Sequence, residues 1–236
     1  VIAPQLACSF VQRNSDAVFQ TKICGVTHPD DALTAVKAGA DAIGLNFYSG
    51  SPRYVTLEQA RAIAAAVPIS VGVFVNASSR QINEIAEMVG LNWVQLHGDE
   101  PPELLAEVQK DLPIIRVRCL GQGGIPAIQA DLEACAKQGR EPAALLIDAT
   151  VPGEYGGTGK IVDWAALANY RHWLGEIPLI LAGGLRPDNV AEAIATVWPS
   201  AVDTASGVES SPGAKDAAQV QAFISAAITA FLGSQS

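Results

Sequence analysis

Cysteine is scarce and scattered in this chain. Its four cysteines, Cys8, Cys24, Cys119 and Cys135, form no C-x-x-C pair. That spacing offers neither a zinc-ligand pattern nor a disulfide framework, so reduced thiols, no metal and a cytoplasmic location are expected. No uninterrupted apolar run reaches the ~18 residues that a membrane-spanning helix needs. Residues 1–17 lack a charged segment followed by a long apolar stretch, so no signal peptide is expected there. They read as an N-terminal extension without an assigned role, ahead of a single domain over 18–232. Basic residues are in the minority, 15 Lys and Arg against 24 Asp and Glu, for a formal net charge of −9. An acidic chain is a poor match for nucleic acid or an anionic membrane, so an anionic ligand has to be met by local positive groups. The dinucleotide fingerprint G-x-G-x-x-G is also absent after the first strand, which weakens a doubly wound Rossmann sheet as the architecture.

What is present is a repeated strand-then-helix cycle. Val18 to Cys24 is β-prone, Gly25 permits a turn, and His28-Pro29-Asp30 opens a helix to Lys37 that stops at Gly39. The same order recurs with strands at Asp41–Phe47, Ser70–Val75, Asn92–His97, Pro113–Arg118, Ala143–Asp148, Pro178–Ala182 and Ala201–Thr204. Between them lie helices over Leu57–Ala66 (capped by Thr56), Ser78–Val89 and Pro101–Lys110, one inside 121–140, and two beginning at Asp163 and Pro187; a last helix covers Lys215–Phe231. Eight strands alternating with helices predict an α/β fold, a single parallel (β/α)8 TIM barrel, and 236 residues at 49% apolar composition suffice to fill one. In that architecture chemistry sits at the C-terminal ends of the strands.

Those ends carry the candidate residues. Lys22 and Cys24 share a face of the first strand, because strand side chains alternate. Two roles are open to Cys24: a small buried core residue, or a thiol brought toward thiolate by the nearby ammonium and able to act as base or nucleophile. Asp148 closes the apolar run Leu145-Leu146-Ile147; the next helix has its own cap in Asp163, which leaves Asp148 to face a site, where burial would favour the protonated acid. Asp203 reads as a polar support. Arg53, after Pro52 in the loop following the second strand, is a solvated surface residue or a bidentate clamp on a carboxylate. Gln95 and His97 share a face, and His97 reads as a hydrogen-bonded structural residue. Gly183-Gly184 and Ser206-Gly207 follow the last two strands, where barrels commonly hold phosphate on backbone N–H groups. The glycine-rich stretch Pro152–Lys160 reads as a mobile cover.

Taken in order, KICGVT, ADAIGLNFYSGSPRYV, VGVFVN, VQLHGDE, LLIDA, EYGGTGK, LAGGLRPDNV and AVDTASGVESSPGAKD resemble the phosphoribosylanthranilate isomerase family of tryptophan biosynthesis, over roughly residues 20–230. The chain departs from that pattern in its N-terminal extension, in the long connection after the fifth strand, and at Ala205, where a serine is usual. The resemblance implies an Amadori rearrangement of N-(5-phosphoribosyl)anthranilate, with Cys24 as general base, Asp148 as general acid and Arg53 on the anthranilate carboxylate. Phosphate would lie on Gly183, Gly184, Ser206 and Gly207, with Lys22, His97 and Asp203 in support. It implies a small-molecule substrate, no cofactor, and a monomer or homodimer. Two rivals are a histidine-pathway isomerase, which would carry a carboxylate in place of Cys24, and a phosphosugar-binding protein without catalysis.

Overall fold

A computed structural model describes residues 18–121, 123–148 and 163–233. The expected N-terminal extension and the expected cover Pro152–Lys160 lie outside them. In chain order the first half runs β1 (Thr21–Ile23), α1 (Pro29–Ala38), β2 (Ala42–Asn46), α2 (Leu57–Ala64), β3 (Ser70–Phe74), α3 (Ser79–Val89), β4 (Trp93–Leu96) and α4 (Glu103–Glu107). The second half runs β5 (Ile114–Cys119), α5 (Gly124–Lys137), β6 (Ala144–Asp148), α6 (Trp164–Leu167), α7 (Arg171–Leu174), β7 (Leu179–Leu181), α8 (Val190–Val197) and β8 (Ala201–Thr204). A 3-10 turn (Ser206–Val208), a hairpin of β9 (Glu209–Ser211) and β10 (Ala214–Lys215), and α9 (Ala217–Gly233) complete the chain. The first eight strands form a closed barrel, every neighbouring pair parallel, as the sequence predicts.

Alternation along each strand divides the molecule into two cores. Ala42, Val71, Ile115, Val117, Ala144, Leu146, Ile180 and Ala201 point inward and fill the barrel, with Phe19 set edge-on against Trp93 at 5.8 Å. Ile23, Ile43, Leu45, Val94, Leu96, Leu145, Ile147 and Val202 point outward beneath the helices. The same alternation carries Asn46, His97, Asp148, Ala182 and Asp203 to the mouth at the C-terminal ends of the strands. Helix caps hold the outer layer in register. Thr56 and Ser78 each form a full capping box, with Gln59 and Gln81 respectively, and Asp163 accepts from the backbone N–H groups of Ala165 and Ala166.

The boundaries differ from the sequence expectation where side chains intervene. Helix α8 starts at Val190 rather than Pro187, because Asn189 folds the preceding residues into a turn: its Oδ1 accepts from Arg186 N (2.7 Å) and its Nδ2 donates to Gly184 O (3.0 Å). Helix α4 is only five residues long. Arg140 takes up carbonyls at its end, those of Leu105, Val108 and Leu112. The helix after Asp163 is two short ones, and α9 begins past Lys215 because that residue pairs in the hairpin.

Helix α9 packs on both α1 and α8 and closes the outer ring through Phe223, which is fully buried. Phe223→Ala should lower the unfolding free energy by about 3–5 kcal/mol, read as a shift in the urea midpoint with an unchanged slope.

Candidate functional site

A cleft at the mouth of the barrel is lined by Cys24, Asn46, Arg53, His97, Asp148, Gly183, Gly184, Asp203, Ser206 and Gly207, among others. Nine of the ten residues expected in the site therefore meet in one place; the tenth, Lys22, lies one step below, fully buried.

The floor is built on the β1–β8 seam. Lys22 and Asp203 are register partners there, and Lys22 Nζ donates to Asp203 Oδ1 at 2.9 Å. Burial works against the Lys22 charge, but Asp203 opposes it and the net shift is upward, so the ammonium stays protonated. Cys24 follows β1 directly and continues the ladder, its N–H donating to Thr204 O at 2.8 Å. Its sulfur occupies the space beside Gly44; a side-chain carbon there would lie 2.6 Å from Sγ. Lys22 does favour the thiolate, but the expectation that it brings Cys24 toward thiolate overall is corrected here. Burial is the larger influence and pushes the Cys24 thiol above its ordinary range; Lys22 opposes this, and Asp203, which shares the ammonium, adds to it. The resting form of Cys24 is the thiol.

Across the barrel, Asp148 ends β6 and is met by His97, whose Nε2 lies 3.3 Å from Asp148 Oδ2. That separation is of ion-pair length, although Nε2 is not aligned for a hydrogen bond. The other ring nitrogen, Nδ1, is 2.9 Å from Gln95 Nε2. His97 is thus held between β4 and the tip of β6.

Arg53 is not a solvated arginine. The loop after β2 is ordered by Asn46, whose Oδ1 accepts from Tyr48 N (2.8 Å) and whose Nδ2 donates to Ser51 Oγ (3.2 Å); Ser51 Oγ in turn accepts from Arg53 N at 3.1 Å. This folds Arg53 back over Gly25, where a side-chain carbon would collide with Arg53 Cδ. Its guanidinium then grips Glu209, Nε to Oε1 at 2.8 Å and Nη2 to Oε2 at 2.7 Å. Lys215 Nζ reaches the same Oε1 at 2.6 Å and also the Ala205 carbonyl at 3.1 Å. Burial alone would raise the Glu209 pKa, but hydrogen bonds from Arg53 and the charge of Lys215 carry it below the usual carboxylate range. Glu209 and Lys215 were not singled out in the sequence. The one signal for them was Ser211-Pro212-Gly213, a turn between an acid and a base that pair across the hairpin.

After β7, Gly183 and Gly184 both take left-handed φ, 78° and 70°, which an L side chain resists. Gly207 is a packing requirement as well, because any side chain there would strike the Leu185 carbonyl and approach Thr204 Oγ1 to 2.8 Å. The β7 and β8 loops therefore touch backbone to backbone. Cys135 is buried on α5, Cys119 sits beside Asp148 across the β5–β6 ladder, and Cys8 lies outside the described residues.

The Lys22–Asp203 pair is buried on both sides, so removing one partner strands the other charge. Asp203→Asn should cost about 3–5 kcal/mol of folding stability, measured by denaturant unfolding at neutral pH; a loss below about 1 kcal/mol would mean that the ammonium has another partner.

The family model described as N-(5'phosphoribosyl)anthranilate (PRA) isomerase matches residues 21–226. An N-(5'-phosphoribosyl)anthranilate isomerase of Pseudomonas putida is 46% identical over 210 residues, covering 88% of this chain and 96% of the relative. The solved phosphoribosyl anthranilate isomerase of Thermotoga maritima superposes with a TM-score of 0.78 at 37% identity, over 90% of this chain and 100% of that one. Another solved isomerase, in complex with reduced 1-(o-carboxyphenylamino)-1-deoxyribulose 5-phosphate, gives a TM-score of 0.76 at 36% identity over the same shares. The chain belongs to the N-(5'-phosphoribosyl)anthranilate isomerase family.

Proposed function

We propose that this chain converts N-(5'-phosphoribosyl)anthranilate into 1-(2-carboxyphenylamino)-1-deoxyribulose 5-phosphate, a step of tryptophan biosynthesis, by general acid–base catalysis. The observation that carries the mechanism is that Cys24 and Asp148, from β1 and β6, line one cleft together with an arginine and two glycine-bearing loops. The substrate has an acid at each end, a ring carboxylate and a phosphate, which suits a cleft bordered by Arg53 and by two glycine turns.

In this reading Asp148 gives its proton to the furanose ring oxygen as the C1'–O bond breaks, leaving an iminium on the anthranilate nitrogen. Cys24, as thiolate, takes the proton from C2', and the electron pair of that C–H bond flows to the iminium nitrogen to give an enolamine. Tautomerisation then yields the ketone. No electron is gained or lost and no water is consumed. Because burial favours the neutral thiol, the sulfur must give its proton to solvent at the cleft before it can accept one from carbon; Lys22, beneath it, lowers the cost of that ionisation. Arg53 takes the ring carboxylate and the Gly183-Gly184 and Ser206-Gly207 turns take the phosphate through backbone N–H groups.

Mixing the purified protein with phosphoribosylanthranilate should extinguish anthranilate-type fluorescence and produce the ketone. Asp148→Asn and Cys24→Ser should each lower kcat by at least ~100-fold with little change in KM, as expected for groups that act chiefly in the transition state. A Cys24→Ser protein that still exchanges the C2' proton at the parental rate would place the base elsewhere.

A further inference from the structure

The reading of Arg53 as the carboxylate clamp leaves open what aims it. A guanidinium presents five N–H groups in one plane, and its usefulness as a fork depends on the orientation of that plane. Here the Nε and Nη2 side is spent on Glu209, at 2.8 and 2.7 Å, so the Nη1 side is the one left to face a ligand. Glu209 is itself immobilised, because Lys215 Nζ holds its Oε1 from the far side and its side chain is only 4% exposed. Arg53 borders the cleft, whereas Glu209 and Lys215 stand behind it and do not. Two cations share one carboxylate, which leaves one surplus positive charge at the rim where an anionic group would arrive.

We infer that Glu209 is the positioning residue of the carboxylate clamp. It locks the guanidinium of Arg53 edge-on toward the cleft and, through Lys215, joins it to the turn proposed to hold phosphate. This rests on the reading that Arg53 takes the ring carboxylate. The alternative, that Arg53 and Glu209 merely pin the β2 loop to the hairpin, is weakened because the two already pack backbone to backbone there: a side-chain carbon on Gly213 would lie 3.1 Å from the Pro52 carbonyl. The connection toward phosphate is short. Lys215 Nζ also binds the carbonyl of Ala205, immediately before Ser206 and Gly207. The segment from Ala205 to Lys215 therefore supplies the phosphate turn, the residue that aims the arginine, and the cation that holds both.

The test is the preference for a ring carboxylate, measured by calorimetry as the ratio of dissociation constants for two probes. One is reduced 1-(o-carboxyphenylamino)-1-deoxyribulose 5-phosphate, and the other is the same molecule with an unsubstituted phenyl ring. The parent should prefer the carboxylated probe. Arg53→Ala and Glu209→Gln should each reduce that preference by about tenfold or more, the scale of a lost charge-assisted hydrogen bond. Combining them should be no worse than Arg53→Ala alone, since Glu209 acts only through Arg53. The inference is overturned if Glu209→Gln keeps the parental preference while Arg53→Ala loses it, or if the two losses multiply. If Arg53→Ala also keeps the preference, the carboxylate reading of Arg53 fails and this inference fails with it. Should Glu209→Gln not fold, Glu209→Asp, one methylene too short to keep both arginine contacts, must show the reduced preference instead.

Discussion

The ion pair between Lys22 and Asp203 sits at the one seam where the two ends of the barrel sequence meet. The two partners are 181 residues apart in the chain, and the pairing of β1 with β8 turns an open sheet into a closed one. Burying an ammonium in an apolar barrel is costly unless a carboxylate is within hydrogen-bond distance, so the pair is satisfied only when the seam is in register. A slip of one residue would turn Lys22 outward into the aliphatic layer under the helices. The pair thus ties closure of the barrel to the environment of Cys24, which stands directly above it.

Around the mouth the same logic recurs. Arg53, Glu209 and Lys215 form a second buried group of charges, and the closest approaches are made possible by glycine. Gly44 leaves room for the sulfur of Cys24, and Gly25 leaves room for the stem of Arg53. Polar side chains are concentrated at the mouth end of the barrel and aliphatic ones at its waist, because the inward positions of each strand change character near their C-terminal ends. The groups facing the cleft are held by these contacts, an arrangement that limits the reorganisation a ligand's binding would require.

The fold was legible because it follows from local pattern. The alternation of apolar strands with capped helices placed eight strands, and Cys24, Asp148 and the two glycine pairs could be read from their positions at strand tips. What escaped was non-local. Glu209 lies 156 residues from Arg53, and nothing near Arg53 in the chain announces its partner. The state of Cys24 escaped for a related reason: its neighbour Lys22 is visible in the sequence, but the burial that outweighs Lys22 depends on all eight strands, and the carboxylate that shares the ammonium comes from the other end of the chain. The short span of α4 was likewise hidden, since its end is fixed by Arg140 from a later loop.

The central claim is that burial keeps the Cys24 thiol protonated while the ion pair beneath it tunes its ionisation, and the direct measurement is the pH dependence of Cys24 alkylation by iodoacetamide, followed at that residue by peptide mass. The thiol should ionise above the range of an ordinary cysteine, so alkylation near neutrality should be slow and climb through alkaline pH. In Lys22→Met, where Asp203 is left without its cation, the profile should move to still higher pH. A Cys24 that reacts at neutrality like a free thiolate, or one whose profile Lys22→Met leaves unchanged, would contradict the account.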